Sequence, residues 1–462
     1  MNKQNILNKY RPEIDGLRAF AVLSVIINHF NKDILPCGFL GVDIFFVISG
    51  YVITLSLFKY RSNNFSEFIF GFYERRLKRI VPLLFFFIST TLIVFCLVNP
   101  FAFSTFTGIR TALTSLFGLS NIYLYKNAFN YHGGGVELNP FAHTWSLGVE
   151  EQFYIIFPLL IWFSGFGKET NKGKRNLGII LILLTTISFL LFTYAYPIKH
   201  PFAYFLLPSR FWEISIGSLV YLLTISKSVT FEKINKIPPI IIFAFMVSLL
   251  FIPLSNALSA TILMVFSTGI LISCLKKDSL ITKLLSRPLF VYLGLISYSL
   301  YLWHWAVISI SKWTIGIHWW SIPFQLFLIF LLSIASYKFI ESPFRKMKIN
   351  IFKKGSIPIT LLLASLLAGL FYKSASLYQN FISTKLNIPL ARTLGMENNI
   401  SESKSANDKL CEDFDNLKNK SVKCFFFIGD SHAERMNLIF KNALNSKGKF
   451  GSALINGEFL YN

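Results

Sequence analysis

Acidic residues are scarce in this chain. Its 462 residues hold 23 Asp and Glu against 45 Lys and Arg, and charged residues of both signs reach only 15%. A soluble globular domain carries about 25%, so an ordinary water-facing surface is excluded. Histidine is sparse as well: there are seven, and none follows His432. The start, MNKQNILNKYRPEIDG, lacks an apolar core followed by a small-residue cleavage site, so no removable signal peptide is expected and the first membrane helix would target the protein.

What is present is apolar, with 53% hydrophobic and 17% aromatic residues. The formal charge of +22 could point to nucleic acid, but the cations fall between the apolar runs. Lys/Arg-rich loops on one side of a bilayer give such an excess. A membrane protein with no nucleic-acid partner is expected.

A span needs about twenty apolar residues, with tilt and interruption allowed. Windows at residues 16–30, 38–58, 81–98, 144–163, 177–196, 204–225, 238–253, 257–275, 289–310, 322–340 and 357–372 predict eleven. Residues 101–124 are apolar but contain Gly108 and Arg110, and read as re-entrant or interfacial; if they span, the topology downstream inverts. With the N-terminus in the cytoplasm, inner connections carry clusters such as Arg75, Arg76, Lys78 and Arg79, while the outer ones hold Lys32, Arg110, Lys126, Lys199 and Lys312. This order satisfies the positive-inside rule and puts the C-terminal tail outside. The expected organisation is a membrane domain over 1–350, a further transmembrane helix over 351–373, an extracytoplasmic linker over 374–420 and the start of a soluble domain over 421–462. In the outer compartment Cys411 and Cys424 could form a disulfide worth about 3 kcal/mol in the loop-entropy description; Cys96 and Cys274 read as buried apolar residues.

Ionisable residues within spans are functional candidates by default. Counting about 1.5 Å per helical residue, Arg18 stands at the inner end of the first span and His29 about 16 Å further out. The same count puts Asp43 in an outer half, Ser49 near the middle and His143 at an outer mouth. Glu150 and Glu151 fall in the outer half or near the centre, Arg210 and Glu213 near an outer end, and His304 in an outer half. Each alone could be a structural polar residue joining helices. Together they predict a buried reaction centre in which His29 is the general base, oriented by Asp43, Glu150 or Glu151. At the inner face, Arg75, Arg76 and Arg79 with Arg18 are either a topology anchor or a phosphate site, since guanidinium forks match phosphate oxygens. A donor with a phosphorylated head and a distant reactive end, such as an acyl-coenzyme A, would connect the two layers.

YRPEIDGLRAFAVLSVIINH, GFLGVDIFFVISGY, RRLKRIVP, HTWSLGVEEQFYIIFP, SRFWEISIG, SYSLYLWHW and FIESPFR occur in that order. Together they resemble the membrane acyltransferase family 3. The resemblance implies an all-α polytopic membrane fold of about ten family helices plus one extra transmembrane helix. It also implies a bacterial inner-membrane location and transfer of acetyl from acetyl-coenzyme A, without a metal, to a lipid-linked or surface glycan. Lipopolysaccharide O-antigen is the first acceptor it suggests, with peptidoglycan and capsule as alternatives. The family's Arg/His pair falls on Arg18 and His29, its arginine motif on Arg75, Arg76 and Arg79, and its WSL/EE block on Trp145, Ser146, Glu150 and Glu151.

Relatives of this type also carry an extracytoplasmic α/β SGNH hydrolase-like domain, and GDSH at 429–432 resembles its first block, with Ser431 as nucleophile. Such a domain needs a late histidine as base, so the resemblance implies an incomplete SGNH domain in a partial chain. Ser431 would then relay acetyl to the glycan, or be bypassed by direct transfer at His29. A transporter or flippase of acylated precursors and a non-catalytic assembly subunit are the competing function classes.

Overall fold

The computed structural model describes residues 10–60, 62, 64–98, 107–128, 138–168, 171–226, 235–276, 278–347 and 373. The chain divides into two units, 1–375 and 376–462, and the description below is of the first. The expected helix over 357–372, the linker, the Cys411/Cys424 pair and Ser431 with its GDSH turn lie outside the described residues.

The described residues form helices and no sheet. They run α1 (Pro12–Phe30), α2 (Gly41–Lys59), α3 (Phe65–Val98), α4 (Thr107–Ser115), α5 (Ser120–Asn127), α6 (Trp145–Phe163), α7 (Asn171–Ile198), α8 (His200–Phe205) and α9 (Leu207–Ser226). There follow α10 (Pro239–Leu249), α11 (Ala257–Cys274), α12 (Leu280–Leu285), α13 (Pro288–Leu295), α14 (Ser297–Trp313) and α15 (Ile322–Ser336). A π-helical turn, Tyr337–Glu341, leads into α16 (Ser342–Lys346).

Six helices among the described residues are long and apolar enough to cross a membrane, or seven if α13 and α14, bent by 67°, count as one. This is a multi-pass membrane protein, and among the described residues seven of the expected windows coincide with these helices. The windows at 16–30 and 204–225 are helical, yet Glu13, Asp15 and Arg18 in α1 and Arg210 and Glu213 in α9 lower their apolarity. These polar groups tolerate the fold because it buries them in protein: Glu213 is fully buried and Arg210 is 3% exposed. The window at 238–253 contains a helix of only 11 residues. Helices α4 and α5, of 9 and 8 residues, are each too short to span.

At about 1.5 Å per residue, α3 is about 51 Å long, well beyond about 30 Å of hydrocarbon. Its basic first half, with Arg75, Arg76, Lys78 and Arg79, therefore extends past the apolar layer. α7 exposes Ile179, Ile182, Leu183, Ile187 and Leu190, an apolar outer face suited to lipid.

Close backbone contacts position the site. A β-carbon at Gly50 of α2 would lie 1.7 Å from the Ile214 carbonyl oxygen, and one at Gly217 of α9 would lie 1.9 Å from that of Val47. Small residues permit this approach, which sets Asp43 of α2 beside Arg210 of α9. Glycines also seat the start of α1: β-carbons at Gly16 and Gly294 would strike the carbonyl oxygens of Leu285 at 2.0 Å and Asp15 at 1.8 Å. Pro12 at the first helical position, with Glu13 and Asp15 in the first turn, suits the α1 N-terminus.

Candidate active site

His29 ends α1 and His304 lies mid-way along α14. Their rings are parallel within 2°, and His29 Nδ1 is 3.0 Å from His304 Nε2. The other nitrogen of His304, Nδ1, is 3.1 Å from the Leu300 carbonyl oxygen. A carbonyl only accepts, so His304 Nδ1–H donates to it. With His304 neutral, its Nε2 must accept, and His29 Nδ1–H must donate. His29 Nε2 is thereby left carrying a lone pair, the form a proton acceptor needs.

The sequence places a carboxylate behind His29; the structure puts His304 and a backbone carbonyl there. Asp43 instead accepts from Arg210 Nη1 at 3.0 Å, and Glu213 accepts from the same nitrogen at 2.6 Å. All three side chains are buried, with two carboxylates sharing one guanidinium, whose carbon also lies 5.7 Å from the Trp145 ring centre and 5.3 Å from that of Tyr204. Glu150 accepts from Ser49 Oγ at 2.8 Å and Tyr154 Oη at 2.7 Å. Glu151 faces elsewhere: its Oε2 would be 2.4 Å from a β-carbon at Gly118, a turn residue with φ of 65°.

Two cavities flank this arrangement, named outer and inner for the membrane sides that the loop charges predict. The outer one, about 430 Å³, is lined by His29, Lys32, His200, Tyr204, Arg210, Trp305 and Lys312 among others. Trp305 donates through Nε1 to the Asn139 carbonyl at 2.8 Å, and its ring centre lies 4.6 Å from that of His29 with the planes at 62°. The Tyr196 and Tyr204 rings, 4.8 and 5.9 Å from His200, shield part of that imidazole from water. With Arg210 they hold its pKa below the ordinary histidine value.

The inner cavity, about 90 Å³, is lined by Arg18, Arg76, Arg79, Ser49, Glu150 and Tyr154 together with Ser146 and Tyr301. Arg18 is fixed by Asp15 at 2.8 Å, and the Arg76 guanidinium lies 5.3 Å from the Tyr154 ring centre. Arg75 is not in this lining. It stacks on Tyr60 at 4.1 Å, so the arginine motif divides, because consecutive helical residues point about 100° apart.

His143 is 4% exposed, and among the described residues neither ring nitrogen has a hydrogen-bond partner of good geometry. Its ring packs edge-on to His304 at 5.7 Å. Ser146 Oγ lies 2.7 Å from Tyr301 Oη. The structure thus joins His29 with His304 and His143, Asp43 with Arg210 and Glu213, and Ser49 and Glu150 with Arg18, Arg76 and Arg79. Tyr154, Tyr204, His200, Tyr301 and Glu341 were not singled out from sequence. Tyr301 and Glu341 stand inside the SYSLYLWHW and FIESPFR blocks, but tyrosine is common at such positions and carries no signal of its own. Glu341 is 1% exposed in the π-helical turn and bonds Ser299 at 3.2 Å and Arg345 at 3.4 Å.

Residues 11–338 match the family model described as "Acyltransferase domain". The O-acetyltransferase OatA of Staphylococcus aureus strain NCTC 8325 / PS 47 is 33% identical over 390 residues, covering 78% of this chain and 62% of that protein. OatA of strain COL matches to the same extent. The chain spans about three-fifths of the length of the curated relatives it matches. No solved structure matches it. With the matched residues covering the two arginine-lined and histidine-lined cavities and most of the chain, this protein belongs to the acyltransferase domain family.

Proposed function

We propose that this protein is an integral membrane O-acyltransferase that moves acetyl from cytoplasmic acetyl-coenzyme A to a hydroxyl of a cell-surface polysaccharide. One observation carries the reading: the His29/His304 pair leaves His29 Nε2 as an available proton acceptor on the wall of the outer cavity. The donor's phosphorylated head is assigned to the other cavity. Arg18, Arg76 and Arg79 supply guanidinium groups for its phosphates, and Ser49, Glu150 and Tyr154 line the same space.

In the transfer, the acceptor hydroxyl gives its proton to His29 Nε2 as its oxygen attacks the thioester carbonyl. The C–O bond forms, the C–S bond breaks, and the departing sulfur is protonated to the thiol. His304 holds the His29 imidazole in the required tautomer, as the third group does in other base-activated centres. Asp43, Arg210 and Glu213 hold α2 against α9 and place a guanidinium on the outer cavity wall.

This reading places the arginine cavity at the cytoplasmic face of a bacterial inner membrane and the histidine cavity toward the outside. Ser431, in an SGNH-like domain, would receive acetyl and pass it on, and retained glycan acetylation in cells carrying Ser431→Ala would exclude that relay. Lipopolysaccharide O-antigen is the first acceptor to test, with peptidoglycan and capsule beside it. The experiment is mass spectrometry of surface glycans from cells with and without the gene, beside thiol release from acetyl-coenzyme A by purified protein. The expected result is a loss of one acetyl per modified sugar and thiol release that fails in His29→Ala. Glycan movement with no thiol release would identify a transporter instead.

A further inference from the structure

The inner and outer cavities have no lining residue in common. Tyr301 stands between them. It lines the inner cavity, while its ring centre is 5.4 Å from that of His304 and 5.3 Å from that of His143. Its hydroxyl is held from two sides, donating to the His143 carbonyl at 2.9 Å and paired with Ser146 Oγ at 2.7 Å. Phe45 of α2 packs edge-on against the ring at 6.3 Å. Three elements therefore fix one side chain that is 7% exposed.

We infer that Tyr301, latched by Ser146 and the His143 carbonyl, narrows the way from the inner cavity to the histidine pair and so sets the length of the acyl group the enzyme accepts. The inference rests on the acyl-donor reading above. A thioester arriving past Arg18, Arg76 and Arg79 meets the Tyr301 ring before it can reach His304 and His29. Tyr301 lines the donor-side space together with Ser146, Leu147 and Ser297, so an acyl chain extended from a thioester held there runs against the ring. Each further methylene must displace a ring held by two hydrogen bonds. Tyr301 is thus a specificity-determining residue, and Ser146 acts through it as a positioning residue.

The test measures thiol release from acetyl-, butyryl- and hexanoyl-coenzyme A by the full chain in lipid nanodiscs supplied with surface glycan as acceptor, for wild type, Tyr301→Ala, Tyr301→Leu and Ser146→Ala. Wild type should favour acetyl strongly. Tyr301→Ala should raise the butyryl-to-acetyl rate ratio by about tenfold or more, the scale on which one or two methylenes are discriminated. Tyr301→Leu, which keeps a branched apolar side chain at the buried position, carries the test if the alanine chain does not fold. Ser146→Ala, which removes only the latch, should raise the ratio by a smaller factor. Folded Tyr301 variants that lose rate equally for all three donors, leaving the ratio unchanged, would overturn the inference while the donor reading stands. A wild-type protein that releases thiol from none of the three would remove the donor reading and this inference together.

Discussion

His29 Nδ1 and His304 Nε2 lie 3.0 Å apart, in rings parallel within 2°, although 275 residues separate them in the chain. The Leu300 carbonyl fixes the direction of that hydrogen bond through His304 Nδ1. The two imidazoles are expected to act as one unit. His29→Ala should lower acetyl transfer by about 10²- to 10⁴-fold, and His304→Ala by a comparable factor through the wrong His29 tautomer. The double variant should lose little more than either single one, because groups that act together are not additive. Thiol-release kinetics on the four proteins measure this; additive losses would show two independent roles.

The arginine cavity predicts a split between binding and turnover. Arg76→Ala and Arg79→Ala should raise KM for acetyl-coenzyme A by about tenfold, the worth of one charge-assisted contact, with a smaller change in kcat. A short acetyl thioester without phosphates should show no such increase. Arg75→Ala, at a side chain that stacks on Tyr60 outside the cavity lining, should leave KM near wild type.

The buried Asp43–Arg210–Glu213 group predicts a steep cost for removing the cation. Arg210→Met leaves two carboxylates facing each other without a partner and should destabilise the protein by about 3–5 kcal/mol. Glu213→Gln keeps an acceptor for Arg210 Nη1 and should cost less. Thermal unfolding in detergent compares them.

Gly50 and Gly217 predict that helix approach, not side-chain chemistry, assembles the site. Gly50→Val should displace α2 from α9, because even a β-carbon would sit 1.7 Å from a backbone oxygen. Loss of monodisperse protein on size exclusion, together with loss of activity, is the expected outcome. Gly178→Ala, whose β-carbon would meet nothing within 4 Å, serves as the control and should be tolerated.

His200 predicts an acid-side effect. Its folded-state pKa is lowered, so the folded protein prefers the neutral ring. That preference costs nothing above the unfolded pKa, where both states are neutral, and disfavours folding as pH falls through it toward the lower folded value. His200→Gln should therefore flatten the fall in melting temperature between about pH 7 and about pH 5. An unchanged slope would place the acid sensitivity elsewhere.

The helical character and the two ends of the site were legible in sequence because apolar length and charge position are properties of the linear chain. Arg18 and His29 share one helix, so helix rise alone separates them by about 16 Å. The identity of the base's partner was not legible. Asp43, Glu150 and His304 all fall at similar depth, and depth says nothing about direction around a helix axis. The span count also depended on tertiary structure: α1 and α9 carry charges that exclude them as unaided spans, and only neighbouring helices make their burial tolerable.

By itself, then, the sequence determined a membrane-embedded, all-helical domain with cations at one end, histidines at the other and the ordered blocks of its family. Tertiary structure alone decided that His304, rather than a carboxylate, backs His29, that Arg75 leaves the arginine cavity, and that Tyr301 stands between the two cavities. The reason is geometric. Periodicity and depth are one-dimensional, whereas a hydrogen bond requires two helices to be brought to the same point at the same rotation, and glycine contacts such as Gly50 with Ile214 set that rotation.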